Sequence, residues 1–257
     1  MKQSPRRIAL LLVTLLVVSA TGALALQPAP TAEHRAIAAD DTPTEKATTA
    51  MENLRATNYT YDLDVRFEGG THDRFTYAVD GQSGRAHGSV DIADHQYEAM
   101  YTHHTVWARN ITSETPSAWS SKPRKSYTDI HLFRPQQAEN VTFEQVSADD
   151  ETLVFRANLT GEETRAMYFG PWSENSTATL TLYVDRDREI VTRATMDVTN
   201  DASAGRYLMS DDVSTGQFEA TVSDVGETDV EKPESIPSPT TDELVNRLVV
   251  GLQRLDG

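Results

Sequence analysis

The stretch Asn58-Tyr59-Thr60-Tyr61-Asp62-Leu63-Asp64-Val65-Arg66-Phe67 alternates apolar and polar residues without a break. Successive side chains on a strand point to opposite faces, so Tyr59, Tyr61, Leu63, Val65 and Phe67 share one face, and Thr60, Asp62, Asp64 and Arg66 the other. Gly69-Gly70 reads as the following turn. Phe75, Tyr77 and Val79 against Arg74, Thr76 and Asp80 then repeat the design. The resulting aromatic stripe has two readings: ordinary core beneath helices, or a cavity wall of rings with polar tips. The ligand-cavity candidates are Tyr59, Tyr61, Leu63, Val65, Phe67, Phe75, Tyr77 and Val79.

Outward from this pair, the same period predicts strands over 87–92, 96–103, 105–111, 141–146, 152–159, 177–184, 190–199 and 217–225. The turn at Ala148-Asp149-Asp150 and the charged turn Asp185-Arg186-Asp187-Arg188 separate two of the pairs. One-sided alternation with short connections marks an antiparallel sheet, covered on one face and wet on the other. Helices are sparse. Ala47, Ala50, Met51 and Leu54 give one apolar face over 44–55, and a short helix is expected over 161–169. A capping box from Thr240 to Glu243 opens a helix over 240–255, with Leu244, Leu248, Val249, Leu252 and Leu255 on one side. The fold class is α+β, a large curved antiparallel sheet covered by a few helices.

Residues 1–26 read differently. Lys2, Arg6 and Arg7 precede an uncharged run from Ile8 to Leu26, and Ala23-Leu24-Ala25 offers the small-x-small pattern of signal cleavage, with Ala25 as the candidate site. Arg6-Arg7 partly matches a twin-arginine signal. The same run is also long enough to remain as an anchor across about 30 Å of hydrocarbon. Either way, positive charge at the start places the rest of the chain outside, released or held on the outer face of a cell membrane. Residues 27–43, rich in Ala, Pro, Thr and Asp, read as a flexible tether, and 44–257 as a single domain. Five of the asparagines stand in N-x-S/T sequons: Asn58, Asn110, Asn140, Asn158 and Asn175.

Composition narrows the chemistry. The 257 residues carry a formal charge of −16, and without the three cations of the export segment the remainder stands at −19. Such a surface repels phosphates, which argues against nucleic acid as a partner. Only five lysines accompany eighteen arginines, a composition resembling that of proteins from extreme halophiles. In molar salt the Debye length falls to roughly 3 Å, so this self-repulsion is screened. The absence of cysteine removes disulfides, thiolate metal sites and a lipid-modified cysteine.

No catalytic residue, cofactor or metal ligand set emerges, so a non-catalytic protein is expected. His103 and His104 are adjacent on a strand and point apart. Asp185-x-Asp187-x-Glu189 lacks the glycine and distant glutamate of a calcium loop and reads as a solvated turn. Gly81-Gln82-Ser83-Gly84 is turn chemistry rather than a nucleophile elbow. Lys122, Arg124 and Lys125, beside Trp119 and Tyr127, form the basic cluster of the chain, either a solvated loop or a contact for anionic headgroups. Nothing in the sequence names a protein partner.

Two segments carry a family resemblance. One is the hairpin Thr179-Leu180-Thr181-Leu182-Tyr183-Val184-Asp185-Arg186 continuing to Ile190-Val191-Thr192-Arg193. The other is the ending Ala220-Thr221-Val222-Ser223-Asp224-Val225-Gly226-Glu227 with Lys232-Pro233-Glu234-Ser235-Ile236-Pro237. Their order resembles the LolA-like lipoprotein-carrier superfamily and its mycobacterial and archaeal surface-lipoprotein relatives, here as a haloarchaeal-type chain without a lipobox. The resemblance implies an incomplete β-barrel closed by helices around an apolar cavity for acyl or isoprenoid chains. Its ligand would be a membrane lipid or another apolar molecule. The lipobox cysteine and the arginine that governs lid opening in the bacterial carrier have no counterpart, so a sorting role does not carry over. The alternative is a glycosylated surface-interaction module with a filled core.

Overall fold

A computed structural model describes residues 33–68, 72–92, 95–102, 105–123, 130–133, 141–167, 176–199 and 215–236. The export segment with Ala25, the 240–255 helix, Gly69-Gly70, His103, His104, Arg124, Lys125, Tyr127, Asn140 and Asn175 lie outside the described residues.

Helix α1 spans Pro43–Arg55. It begins one residue before the apolar period because Thr42 caps it: the Thr42 side chain accepts from the Glu45 amide while the Glu45 carboxylate accepts from the Thr42 amide. Pro43 sits at the first helical position, where no amide donor is needed. The stripe Ala47, Ala50, Met51 and Leu54 is buried. Met51 and Leu54 alone contribute roughly 1.5–3 kcal/mol each by leaving water.

Eleven strands follow among the described residues: β1 (Asn58–Phe67), β2 (His72–Asp80), β3 (Arg85–Ile92), β4 (His95–Tyr101), β5 (Thr105–Asn110), β6 (Ser120–Pro123), β7 (Glu144–Ala148), β8 (Thr152–Thr160), β9 (Thr177–Asp185), β10 (Ile190–Thr199) and β11 (Thr215–Ser223). Helix α2 (Gly161–Met167) lies between β8 and β9. The strands form one sheet in the order β6-β5-β4-β3-β2-β1-β11-β10-β9-β8-β7. Two meanders, β1 to β6 and β7 to β11, are therefore sewn together along their first and last strands, with Leu63 opposite Ala220 and Val65 opposite Phe218. Every pairing is antiparallel, and the sheet is open, ending at β6 and β7. The expected α+β class and large antiparallel sheet with few helices stand. Strand β6 is an addition with no apolar alternation to announce it.

Register carries the apolar face across the sheet. Tyr59, Tyr61 and Leu63 face Val79, Tyr77 and Phe75, and Phe75 and Val79 face Val90 and Ala86. On the other side, Ala220 and Phe218 face Ala194 and Met196, which face Leu182 and Leu180. Helix α1 packs on this face, over β10, β9, β7 and the start of β1.

The chain before α1 is docked from His34 onward, inside the stretch read as a tether. Asn53, fully buried on α1, accepts from the Arg35 amide (2.7 Å) and donates to the Arg35 carbonyl (2.8 Å) and the Glu189 carbonyl (3.0 Å). Glu189 Oε1 accepts from the Ile37 amide at 3.0 Å. One primary amide thus joins the leading segment, the helix and the β9–β10 turn.

Candidate functional site

The face under α1 is not uniform. At the α1 end, Tyr59 is fully buried, and its hydroxyl lies 3.3 Å from the Leu132 amide and 3.5 Å from His131 Nδ1. Its ring begins a chain of aromatic contacts: Tyr59 to Tyr61 at 6.2 Å, Tyr61 to Tyr77 at 5.6 Å, Tyr77 to Tyr101 at 5.7 Å between centroids. Tyr77 is on β2 and Tyr101 on β4, so the last contact crosses β3. It is possible because the residue between them is Gly88, paired with Tyr77 and with Ala99. A Cβ at Gly88 would lie 2.5 Å from Tyr77 Cδ1 and 2.8 Å from Tyr77 Cα, and closer still to the Thr76 carbonyl oxygen. Burial, then the neighbouring Tyr101 hydroxyl, pushes the Tyr77 hydroxyl well above the ordinary phenol range.

Away from α1, the face changes character. Tyr61, Leu63, Phe67 and Phe75, with Val90 on β3 and Phe218 on β11, are only half-buried. Phe67 and Phe218 meet edge-on at 6.1 Å. A cleft of about 500 Å3 wraps this end of the sheet, lined by Phe67, Val198 and Gly216 of the apolar face and by Arg66, Asp197 and Gln217 of the opposite one. Asp73 falls on the apolar face, opposite Val65 and Ile92, and is buried. The eight candidates thus share a face but divide in two. Tyr59, Val65, Tyr77 and Val79 are buried, while Tyr61, Leu63, Phe67 and Phe75 keep part of their surface open.

The opposite face holds a feature that the sequence reading missed. After β11 the chain turns at Asp224, with φ of 49°, and its residues to Ile236 run across the back of the first meander. Gly226 N donates to the Asn58 carbonyl at 2.7 Å, and Asn58 Nδ2 donates to the Thr228 carbonyl at 3.2 Å. Val230 and Ile236 bury against Met100 and Trp107, a second small core. Trp119 Nε1 donates to Ser235 Oγ at 2.9 Å, and the Arg109 guanidinium stacks 4.6 Å from the Trp119 ring centre. Beside it, Glu98 accepts from Arg109 at 2.6 Å and pairs with His87 Nε2 at 2.8 Å. Burial pushes the Glu98 carboxyl up, but the hydrogen bonds and charges of His87 and Arg109 outweigh it and hold the group below the ordinary carboxylate range. The alternation of β4 and β5 was the available signal: Met100 and Trp107 stand on the polar side of their strands.

The remaining chemistry is local. The Asp185 carboxylate accepts from the Asp187 and Arg188 amides at 2.9 Å each, closing the β9–β10 turn. Among the described residues, no three His, Asp or Glu side chains group as metal ligands. Lys122 is exposed on β6.

No protein-family model matches the chain. No curated protein sequence matches it either. Among solved structures it is similar to a crystal structure of a LolA superfamily protein from Nitrosomonas europaea, at 11% identity and a TM-score of 0.28, over 77% of this chain and 96% of that one.

Proposed function

We propose that this chain is an exported, membrane-associated, non-catalytic protein that holds an apolar or amphiphilic ligand, a lipid, in an incomplete barrel formed by its open sheet. The observation that carries this reading is the half-buried run Leu63, Phe67, Phe75, Val90 and Phe218 at the end of the sheet away from α1. Apolar surface held in that state gains on the order of 25 cal/mol per Å2 when a ligand covers it. Tyr61, half-buried beside this run, offers a ring with a polar tip to an amphiphile's polar part. The export pattern of residues 1–26 supports a domain that works next to membrane lipid, and the resemblance of the β9–β10 hairpin and of the segment after β11 to the lipoprotein-carrier superfamily supports the same ligand class.

The test is solvent extraction of the full chain, purified from its own cells without detergent, followed by mass spectrometry. A lipid recovered in stoichiometric amount is the expected result. A clean extract, together with capture of a stoichiometric cell-surface protein, would replace this reading with a glycosylated interaction module whose core is filled.

A further inference from the structure

We propose that Asn158 accepts an N-linked glycan and that Asn58 does not, an inference resting on the export reading above. Both stand in sequons, Asn158-Leu159-Thr160 and Asn58-Tyr59-Thr60, and the sequence alone ranks them equally. The fold separates them.

On β8, Phe155, Ala157 and Leu159 are buried while Arg156, Asn158 and Thr160 are exposed. Asn158 therefore stands on the wet face of the sheet. Its Oδ1 accepts from Thr179 Oγ1 at 3.2 Å, and its Nδ2 has no hydrogen-bond partner among the described residues. Pairing with β7 stops at Glu144 opposite Arg156, so Asn158 has a paired strand on the β9 side only. The β9 residues that flank it on this face, Thr177, Thr179 and Thr181, are small.

Asn58 is the reverse case. Its Nδ2 is spent on the Thr228 carbonyl, and its own carbonyl accepts from Gly226. Thr60 Oγ1 lies 3.2 Å from Thr228 Oγ1 in the covering segment that follows β11, whereas Thr160 Oγ1 donates at 2.9 Å to Glu163 within its own turn. Asn58 and Thr60 are thus held by that segment, while Tyr59 is buried on the other face of the sheet. A sugar on Asn58 Nδ2 would have to grow where the Thr228 carbonyl lies 3.2 Å away, and so would push that segment off the sheet. Asn110 lies between the two: it is half-buried, and its Oδ1 accepts from the Thr112 amide at 2.9 Å.

The donor is a sugar linked through its anomeric carbon to a lipid phosphate. Transfer forms the bond from Asn158 Nδ2 to that carbon and breaks the carbon–oxygen bond to phosphate. The lipid phosphate departs with the electron pair, and Nδ2 gives up one proton to the transferase's base. The Oδ1 contact with Thr179 survives, so the reaction asks nothing of the fold.

The experiment maps peptides by mass spectrometry on the full chain from its native cells, with protease digestion of intact cells in parallel. The expected result is a chain reachable from outside, a glycan on the Asn158 peptide and an unmodified Asn58 peptide. Asn158→Gln should lose that mass with no shift in its denaturation midpoint. A reachable chain with Asn158 bare, or with Asn58 modified, overturns the assignment and leaves export standing. A chain protected from protease in intact cells overturns the export reading and this inference with it.

Discussion

Gly88→Ala probes the geometry on which the tyrosine-lined end depends. The added methyl would approach Tyr77 Cδ1 to 2.5 Å and Tyr77 Cα to 2.8 Å, with the Thr76 carbonyl closer still. Ordinary contact begins near 3.4 Å, so β2 and β3 must separate by about 1 Å, at a place where two of the three obstructions are backbone. Overpacking a well-filled interior costs roughly 1–3 kcal/mol, and backbone obstruction places this case at the upper end. The lower chain entropy of alanine returns about 0.5–1 kcal/mol. The net loss is therefore about 2 kcal/mol, or a fall of roughly 4–8 °C in Tm for a domain of this size. Urea unfolding at fixed salt reads the loss, and near-ultraviolet circular dichroism reads the tyrosines as Tyr77 leaves Tyr101. Combining the change with Tyr77→Ala removes the ring obstruction but not the carbonyl. The two substitutions should then cost less together than their sum, a coupling that a double-mutant cycle measures. An unchanged or raised midpoint in Gly88→Ala would refute the close approach of the strands, and with it the ring contact across β3.

Three further outcomes are expected. Asn53→Ala removes three hydrogen bonds from a fully buried amide and should cost about 2–4 kcal/mol. Amide exchange at Arg35 and Ile37 should lose its protection, and an unprotected Arg35 in the unmutated chain would already contradict the docking of the leading segment. Ile236→Ala empties part of the second core and should cost about 2–4 kcal/mol; a cost below about 0.5 kcal/mol would mean that the segment after β11 is not seated on Met100 and Trp107. For Glu98 the pH dependence has a definite sign. Its folded-state pKa lies below the ordinary 4.5, so the unfolded chain takes up the proton first. The stability that the carboxylate confers is then full above that value and lost as the pH falls through the folded pKa. The stability difference between the unmutated chain and Glu98→Gln should accordingly persist from neutrality to about pH 5 and collapse below it, and a difference that stays constant down to pH 3 would contradict the carboxylate's role.

Most strands were legible because one face of each is buried, so a period of two is written into Tyr59 to Phe67, Phe75 to Val79 and Ala178 to Val184. Long-range pairing left no such mark. That β1 meets β11 follows from the closure of two meanders, and neither Leu63 nor Ala220 carries a local sign of its partner. The segment after β11 was legible only as a family ending, since a run with few apolar residues betrays neither Val230 and Ile236 as anchors nor the cover they give to Asn58. Asp73 continues the face of Phe75, Tyr77 and Val79, but hydropathy does not show that a carboxylate there is buried. The docking of Arg35 and Ile37 was not legible in the stretch read as a tether, because the groups they contribute are main-chain amides and a carbonyl, which look the same in every sequence.

The aromatic stripe need not be either core or wall. Tyr59 and Tyr77 are locked on both sides, the first by Leu132 and His131, the second by Gly88 and Tyr101. A ligand could displace them only by opening β2 from β3. Tyr61, Leu63, Phe67 and Phe75 keep part of their surface open, so a ligand can cover them without moving the backbone. The buried tyrosines would then fix the sheet's shape at the α1 end, while the half-buried residues offer the apolar strip. A bound amphiphile would lie with its chain along Leu63, Phe75 and Phe67 and its polar part toward the half-buried Tyr61. The Tyr59 and Tyr77 hydroxyls take no part in this, since they are buried and already hold the Leu132 amide and Tyr101.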